Sequence, residues 1–225
     1  MRMGLLARHR PLVQLQRGLL FQYGWLKSWW RRRPVDTAGK PLPWLTYPAI
    51  DFISQFDFSD ASVFEWGSGY STLWWAERCR RIVTVESNVK WVAYIKPLLP
   101  TAVEFIVSSF DVEAEVAALT GLTERHFDVF VIDNHGPFRW RCAEVAASNL
   151  AAGGFVILDN SDQCPKACMV LRDAGLTQVD FTGFAPGNAY AHTTSIFFRG
   201  GYRFKAHGTQ PHRSRAQPNP AWPGC

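Results

Sequence analysis

The pattern of apolar and polar positions changes character near residue 62. From there, short β-branched and aromatic runs alternate with stretches of helical period. Strands are predicted over 62–66 (SVFEW), 81–86 (RIVTVE), 103–107 (VEFIV), 127–133 (FDVFVID) and 155–159 (FVILD). Helices are predicted between and after them, over 71–80, 88–98, 111–119, 139–150 and 164–174. Asn88 is placed to cap the second helix, and Gly175 to end the fifth. Two last strands, 177–184 and 193–199, are joined by a loop containing Pro186, Gly187 and Asn188 instead of a helix. Strands that are apolar throughout and separated by helices are buried on both faces, so they belong to a parallel, doubly wound sheet. A short loop between strands makes an antiparallel hairpin. The predicted fold class is α/β, a doubly wound, seven-stranded, mostly parallel sheet with a terminal antiparallel hairpin. In such a sheet ligands bind beyond the carboxyl ends of the strands.

Charge divides the chain differently. Its 225 residues suit one domain with short extensions, and the net charge of +5 is unevenly spread. Residues 1–40 carry +8, residues 41–200 carry −7 and residues 201–225 carry +4. We therefore expect a basic, Trp/Arg-rich helical extension over 1–40, a folded domain over 41–203 and a disordered tail over 204–225, where prolines replace any apolar period. The acidic middle offers no continuous basic track, so no nucleic-acid partner is expected. The five cysteines have no framework spacing, and Cys164 and Cys168 lack further zinc ligands, which points to a reduced, cytoplasmic protein. No run approaches the roughly 20 apolar residues of a membrane span. In residues 19–33, Trp25, Trp29 and Trp30 fall at helical spacing beside Arg31, Arg32 and Arg33. Two readings stay open. The segment is an interfacial helix giving peripheral contact with the inner face of the membrane, or it docks its tryptophans on the domain or on a partner subunit, as in a homodimer.

The strand ends carry the chemistry. Glu65-Trp66-Gly67-Ser68-Gly69-Tyr70-Ser71-Thr72 follows the first strand. Two glycines allow a sharp turn and close approach of a ligand. Thr72 stands where a dinucleotide fingerprint has its third glycine, which counts against a nicotinamide cofactor. Glu86 ends the second strand, 21 residues after Glu65, where a carboxylate can accept hydrogen bonds from ribose hydroxyls. The next strand ends are marked by Asp133-Asn134-His135-Gly136 and Asp159-Asn160.

These pieces together resemble the class I S-adenosylmethionine-dependent methyltransferases, over about residues 44–200. The matching segments are the turn at 65–72, Glu86, the run 127–133, the run 153–160 and the closing antiparallel pair. The resemblance implies the Rossmann-like methyltransferase fold and S-adenosylmethionine as cofactor. It implies that Gly67 and Gly69 admit the methionine part and that Ser71 belongs to the same turn. Glu65 would face the amino group or hold the loop, Glu86 would bind the ribose, and Ser109 or Asp111 would lie near the adenine. Asp133 would lie beside the cofactor.

Asp133, Asp159 and Asn160 are also similar to the ligand set of metal-dependent O-methyltransferases of the catechol and caffeoyl-CoA type. That likeness implies Mg²⁺, a hard cation suited to oxygen ligands, which would acidify a bound hydroxyl. The competing reading leaves Asp133 at the cofactor and gives Asp159 and Asn160 capping roles. Those enzymes carry a basic lysine three residues past the first Asp, and Gly136 stands there in this chain. His135 is the neighbouring candidate base, or else a loop histidine with no chemical duty; Asp133 and His135 are the expected catalytic residues. His126 precedes the fourth strand and lies at the wrong end of the sheet. Arg139 and Arg141 are expected either to meet an acidic substrate or to be structural. Tyr190 and His192 lie at the mouth, and Trp44, Thr46 and Tyr47 either line the site or pack.

The expected function is O-methylation of a small-molecule or glycan-type acceptor. The alternative is a non-catalytic Rossmann-like module anchored by its basic N-terminus.

Overall fold

The computed structural model describes residues 13, 14 and 16–207. Residues 1–12, 15 and 208–225, with Cys225 and most of the expected tail, lie outside the described residues.

Seven strands form one sheet: β1 (Ser62–Trp66), β2 (Arg81–Glu86), β3 (Glu104–Val107), β4 (Phe127–Ile132), β5 (Leu150–Leu158), β6 (Thr177–Phe184) and β7 (Ala191–Phe198). Their order is β3-β2-β1-β4-β5-β7-β6. The first five run parallel and β7 pairs antiparallel with both β5 and β6, as the sequence pattern predicts. Strand order reverses between β1 and β4, so a crevice opens where these two strands end.

Alternation along each strand feeds two cores. Val63, Ile82, Val129, Phe155 and Ile157 face one side. There they meet α2 (Tyr47–Ile53) and α3 (Tyr70–Ala76) through Ile50, Ile53, Trp74 and Trp75. Phe64, Trp66, Val83, Phe130 and Val156 face the other side. They meet α5 (Val112–Thr120), α6 (Arg139–Asn149) and α7 (Pro165–Asp173) through Leu119, Ala143, Ala146 and Leu171. The helix α4 (Val89–Ile95) starts on Asn88, whose Oδ1 accepts from the Lys90 and Trp91 amides, and it ends in a tighter turn around Pro97.

Several bounds differ from expectation for local reasons. The 71–80 prediction stops at Ala76, where the carbonyls of Trp74 and Trp75 are taken by Arg78 and by the Arg78 and Cys79 amides. β5 begins five residues early, because Gly153 at φ +73 and the crowded Gly154 let the strand continue.

The N-terminal segment docks on this domain. A π-helical stretch (Gln16–Gln22) leads through Gly24 into α1 (Trp25–Arg31). Trp25 Nε1 donates to the Asn188 carbonyl at 2.7 Å, and the buried Ser28 exchanges two hydrogen bonds with the Val35 backbone. Trp29 and Trp30 remain exposed. Of the expected loose tail, residues 204–207 are docked. Phe204 packs on Phe58 and Phe155, and the His207 amide donates to the Gln55 carbonyl at 2.7 Å. None of the helices among the described residues is long and apolar enough to cross a membrane.

Candidate active site

Gly67 turns the chain out of β1 at φ +95, and a Cβ there would come 2.5 Å from the Asp133 carbonyl oxygen. Only glycine lets the ends of β1 and β4 lie this close. Its amide donates to the Val85 carbonyl, and the Asp133 amide donates to the Trp66 carbonyl, each at 2.9 Å. Two cavities open above this crossing. One, of about 270 Å³, is lined by Ser87, Phe110, Glu115 and His135. The other, of about 190 Å³, is lined by Trp44, Gly69, Tyr70 and Ser71. Gly67, Glu86, Trp91 and Asp133 line both, so the two are ends of one cleft.

Glu65 is completely buried. Its Oε2 accepts from the hydroxyls of Thr72 and Thr84, and its Oε1 has no hydrogen-bond partner. Burial pushes this carboxyl up to about 7, against the hydroxyls that favour its charged form. Thr72 Oγ1 also accepts from the Gly69 amide at 2.9 Å. The threonine that spoils a dinucleotide fingerprint thus ties Glu65 to the glycine turn. Trp91 Nε1 holds the same turn from outside by donating to the Ser68 carbonyl at 2.6 Å.

Glu86 stands at the junction of the cavities. Its Oε1 accepts from the amides of Ser87 (2.9 Å) and Asn88 (2.8 Å), and Oε2 takes neither bond. Burial raises its pKa. Beyond it, Phe110 packs on His135 (4.9 Å between centroids) and Phe138 (5.2 Å). Ser109, expected near the adenine, is exposed and lines neither cavity, and Asp111 caps α5 through the Ala114 amide. Phe110 takes their place because the chain turns at Ser109, whose carbonyl accepts from the Asp111 amide. His135, the expected base, sits exposed in this aromatic cluster at the larger cavity and lines no part of the smaller one.

Glu115 is a site residue that sequence reasoning passed over. It is buried on the inward face of α5, accepts from Ser87 Oγ at 2.6 Å and from Asn134 Nδ2, and lines the larger cavity. Its signal was an acid four residues before Leu119, on the face that carries the helix's apolar contacts.

Asp133, Asp159 and Asn160 do come together, but around a cation the chain itself supplies. Arg139 is buried. Its Nη2 bonds Asp133 Oδ1 at 3.0 Å, and its Nη1 bonds the Asp159 carbonyl and Asn160 Oδ1 (3.2 Å). Its Nε donates to the Asn134 carbonyl at 2.9 Å. The Asp159 carboxylate turns to Thr194 Oγ1 (2.5 Å) and to His192 Nε2 (3.3 Å). A guanidinium fills the centre of the expected ligand set, and the donors do not fit a divalent ion. Among the described residues no group of three His, Cys, Asp or Glu converges as metal ligands. Burial and the Asp159 charge raise the Asp133 pKa, and Arg139 opposes them. Interaction with Asp159 raises the pKa of the buried His192 despite its desolvation. Arg141 is spent on Glu113 and Glu144 at the surface. Thr46 and Tyr47 pack, and Trp44 lines the site.

No family model matches the chain, and no curated protein matches it. Solved structures match its fold. An O-methyltransferase from Bacillus cereus in complex with SAH is 16% identical, covering 81% of this chain and 94% of that one at a TM-score of 0.53. A precorrin-6y C5,15-methyltransferase from Geobacter metallireducens GS-15 is 16% identical, covering 70% and 91% at 0.52. Cofactor-bound Rv0187 from MTB is 19% identical, covering 67% and 76% at 0.51. The fold is that of the class I S-adenosylmethionine-dependent methyltransferases.

Proposed function

We propose that this protein is an S-adenosylmethionine-dependent methyltransferase acting on an oxygen of a small-molecule or glycan-type acceptor. The observation that carries the reading is the pair of carboxylates Glu65 and Glu86 near the carboxyl ends of the adjacent parallel strands β1 and β2, beside the turn at Gly67 that only glycine can make. Glu86 has a carboxylate oxygen left for ribose hydroxyls. Glu65 has a buried, unpartnered oxygen of the kind an ammonium group satisfies. Phe110 and His135 offer ring faces for a base at the larger cavity, and Ser71 and Gly69 line the methionine end.

Bound there, the cofactor supplies a methyl group on a sulfonium, so that a C–O bond forms as the S–C bond breaks and the acceptor hydroxyl loses its proton. Asp133 lines both cavities, and its raised pKa suits it to take that proton near neutral pH. Arg139 fixes Asp133 through Oδ1 and balances its charge. His135 contributes packing at the base, and Asp159 and Asn160 hold Arg139.

Calorimetric titration with S-adenosylhomocysteine tests the reading. Micromolar binding is expected, weakened about tenfold or more in Glu86→Ala by loss of a charge-assisted hydrogen bond. Turnover should survive EDTA unchanged, because the chain's own guanidinium stands among the three oxygens. Absence of any binding by the wild-type protein would sink the proposal.

A further inference from the structure

The docked N-terminal segment builds a third cavity beside the cleft. Gly187, at φ +76, backs directly onto α1: a Cβ there would come 3.1 Å from the Trp29 amide nitrogen. Between α1 and the β6–β7 turn this leaves a space of about 500 Å³, lined by Trp29, Trp30, Arg32, Arg33, Trp44 and Gly187. That is the size of a small-molecule site. Two residues join it to the cleft. Trp44 lines both this space and the methionine end. Arg33 Nη1 bonds the hydroxyl of Tyr70, which lines the methionine end, at 3.3 Å. A cavity of similar size beside Trp140 and Lys166 shares no lining residue with either part of the cleft.

The lining has one chemical character. No acid lines the space, and neither Arg32 nor Arg33 has a carboxylate partner among the described residues. Arg33 Nε is buried with no hydrogen-bond partner at all. Arg32 caps α1 at φ 50, a left-handed conformation uncommon for a non-glycine residue. Trp29 and Trp30 present exposed indoles beside these two cations. Indole faces take planar and sugar rings, and guanidinium forks take carboxylates and phosphates.

We infer that this cavity holds the methyl acceptor and that the acceptor is a ring compound, sugar or aromatic, bearing an anionic group. The inference rests on the methyltransferase reading of the adjoining cleft. The basic, tryptophan-rich extension then serves as the acceptor-binding wall of the enzyme, bringing cations to the acidic domain.

Titration calorimetry with the full chain and S-adenosylhomocysteine present tests it. Four probes are used: methyl glucuronide against neutral methyl glucoside, and 4-hydroxybenzoate against phenol. At least one anionic probe should bind about tenfold more tightly than its neutral counterpart, and the sugar and aromatic arms separate the two sources of a ring. Arg32→Gln and Arg33→Gln should each weaken that probe about tenfold, while the melting temperature holds. Arg32→Gln and the surface control Arg141→Gln should leave S-adenosylhomocysteine binding unchanged.

The inference is overturned if no anionic probe exceeds its neutral counterpart up to about 10 mM, or if Arg32→Gln binds it as wild type does. It is also overturned, in favour of a lipid surface, if phosphatidylserine vesicles retain the wild-type protein but not Arg32→Gln while every probe fails. If S-adenosylhomocysteine binds and the probes do not, this inference alone falls. If the probes bind and S-adenosylhomocysteine does not, the methyltransferase reading falls instead.

Discussion

Glu65 shows how one buried carboxyl links stability to ligand binding. Its folded pKa is raised to about 7 by burial, from 4.5. Below pH 4.5 it is protonated in both the folded and unfolded states, and its burial then carries no charge penalty. As pH rises through about 7 the folded protein must hold a buried charge, so stability is lost across that window, by up to about 3 kcal/mol from this group. Urea unfolding of Glu65→Gln should therefore gain on wild type as pH rises from 4 to about 8. A constant difference between the two proteins would show that Glu65 does not titrate there. An ammonium group against the unpartnered Oε1 favours the charged form, so S-adenosylhomocysteine binding near pH 6 should release a proton. Binding heats in buffers of different ionisation enthalpy would show that release in wild type and not in Glu65→Gln.

At the scale of elements, the β1–α3 turn is where sequence and backbone agree most closely. Gly67→Ala would force a Cβ into the Asp133 carbonyl at a left-handed φ. Both faults act together, so we expect a loss of about 3 kcal/mol, read as a lowered urea midpoint, with S-adenosylhomocysteine binding abolished. A variant as stable as wild type would mean that the strand ends can separate. The strands themselves were legible because burial on both faces writes an uninterrupted apolar run, as in 129–132 and 155–158. The helix α2 was not legible. It is seven residues long, opens on Pro48, and is defined by what it covers: the Thr46 hydroxyl donates to the Phe181 carbonyl of β6, and the Thr46 amide to Thr194 of β7. Contacts across about 140 residues of sequence leave no local period to read. Gly67, Ser71 and Glu86 line the cleft and Glu65 lies buried behind its turn, positions the sequence could place because each is fixed by distance from its own strand end. Ser109 was misjudged because a two-residue turn decides whether it or Phe110 faces the cleft.

At the scale of the molecule, one arginine ties the carboxyl edge of the sheet together. Arg139, from the start of α6, bonds groups that end β4 and groups that end β5, and Asp159 carries the network on to Thr194 and His192 of β7. The metal expectation failed here for a physical reason. Three oxygens from two strand ends suit any compact cation, and sequence spacing does not say whether that cation is bound from solution or arrives on a neighbouring helix. Arg139→Met keeps the apolar stem and removes the charge, leaving the half-buried Asp133 without its counter-ion and the Asp159 carbonyl without its donor. Breaking one side of a fully buried ion pair costs about 3–5 kcal/mol; with Asp133 partly exposed the loss falls at or below the low end of that range, and most of it belongs to the ionised Asp133. The Asp133 pKa, already raised by burial and by Asp159, rises further without Arg139, so protonation relieves the variant in mild acid. We therefore expect urea unfolding to show the full loss near pH 8 and a clearly smaller one near pH 5. Equal losses at the two pH values would mean that Arg139 acts by packing alone, and that the oxygens around it do not need a cation to balance them.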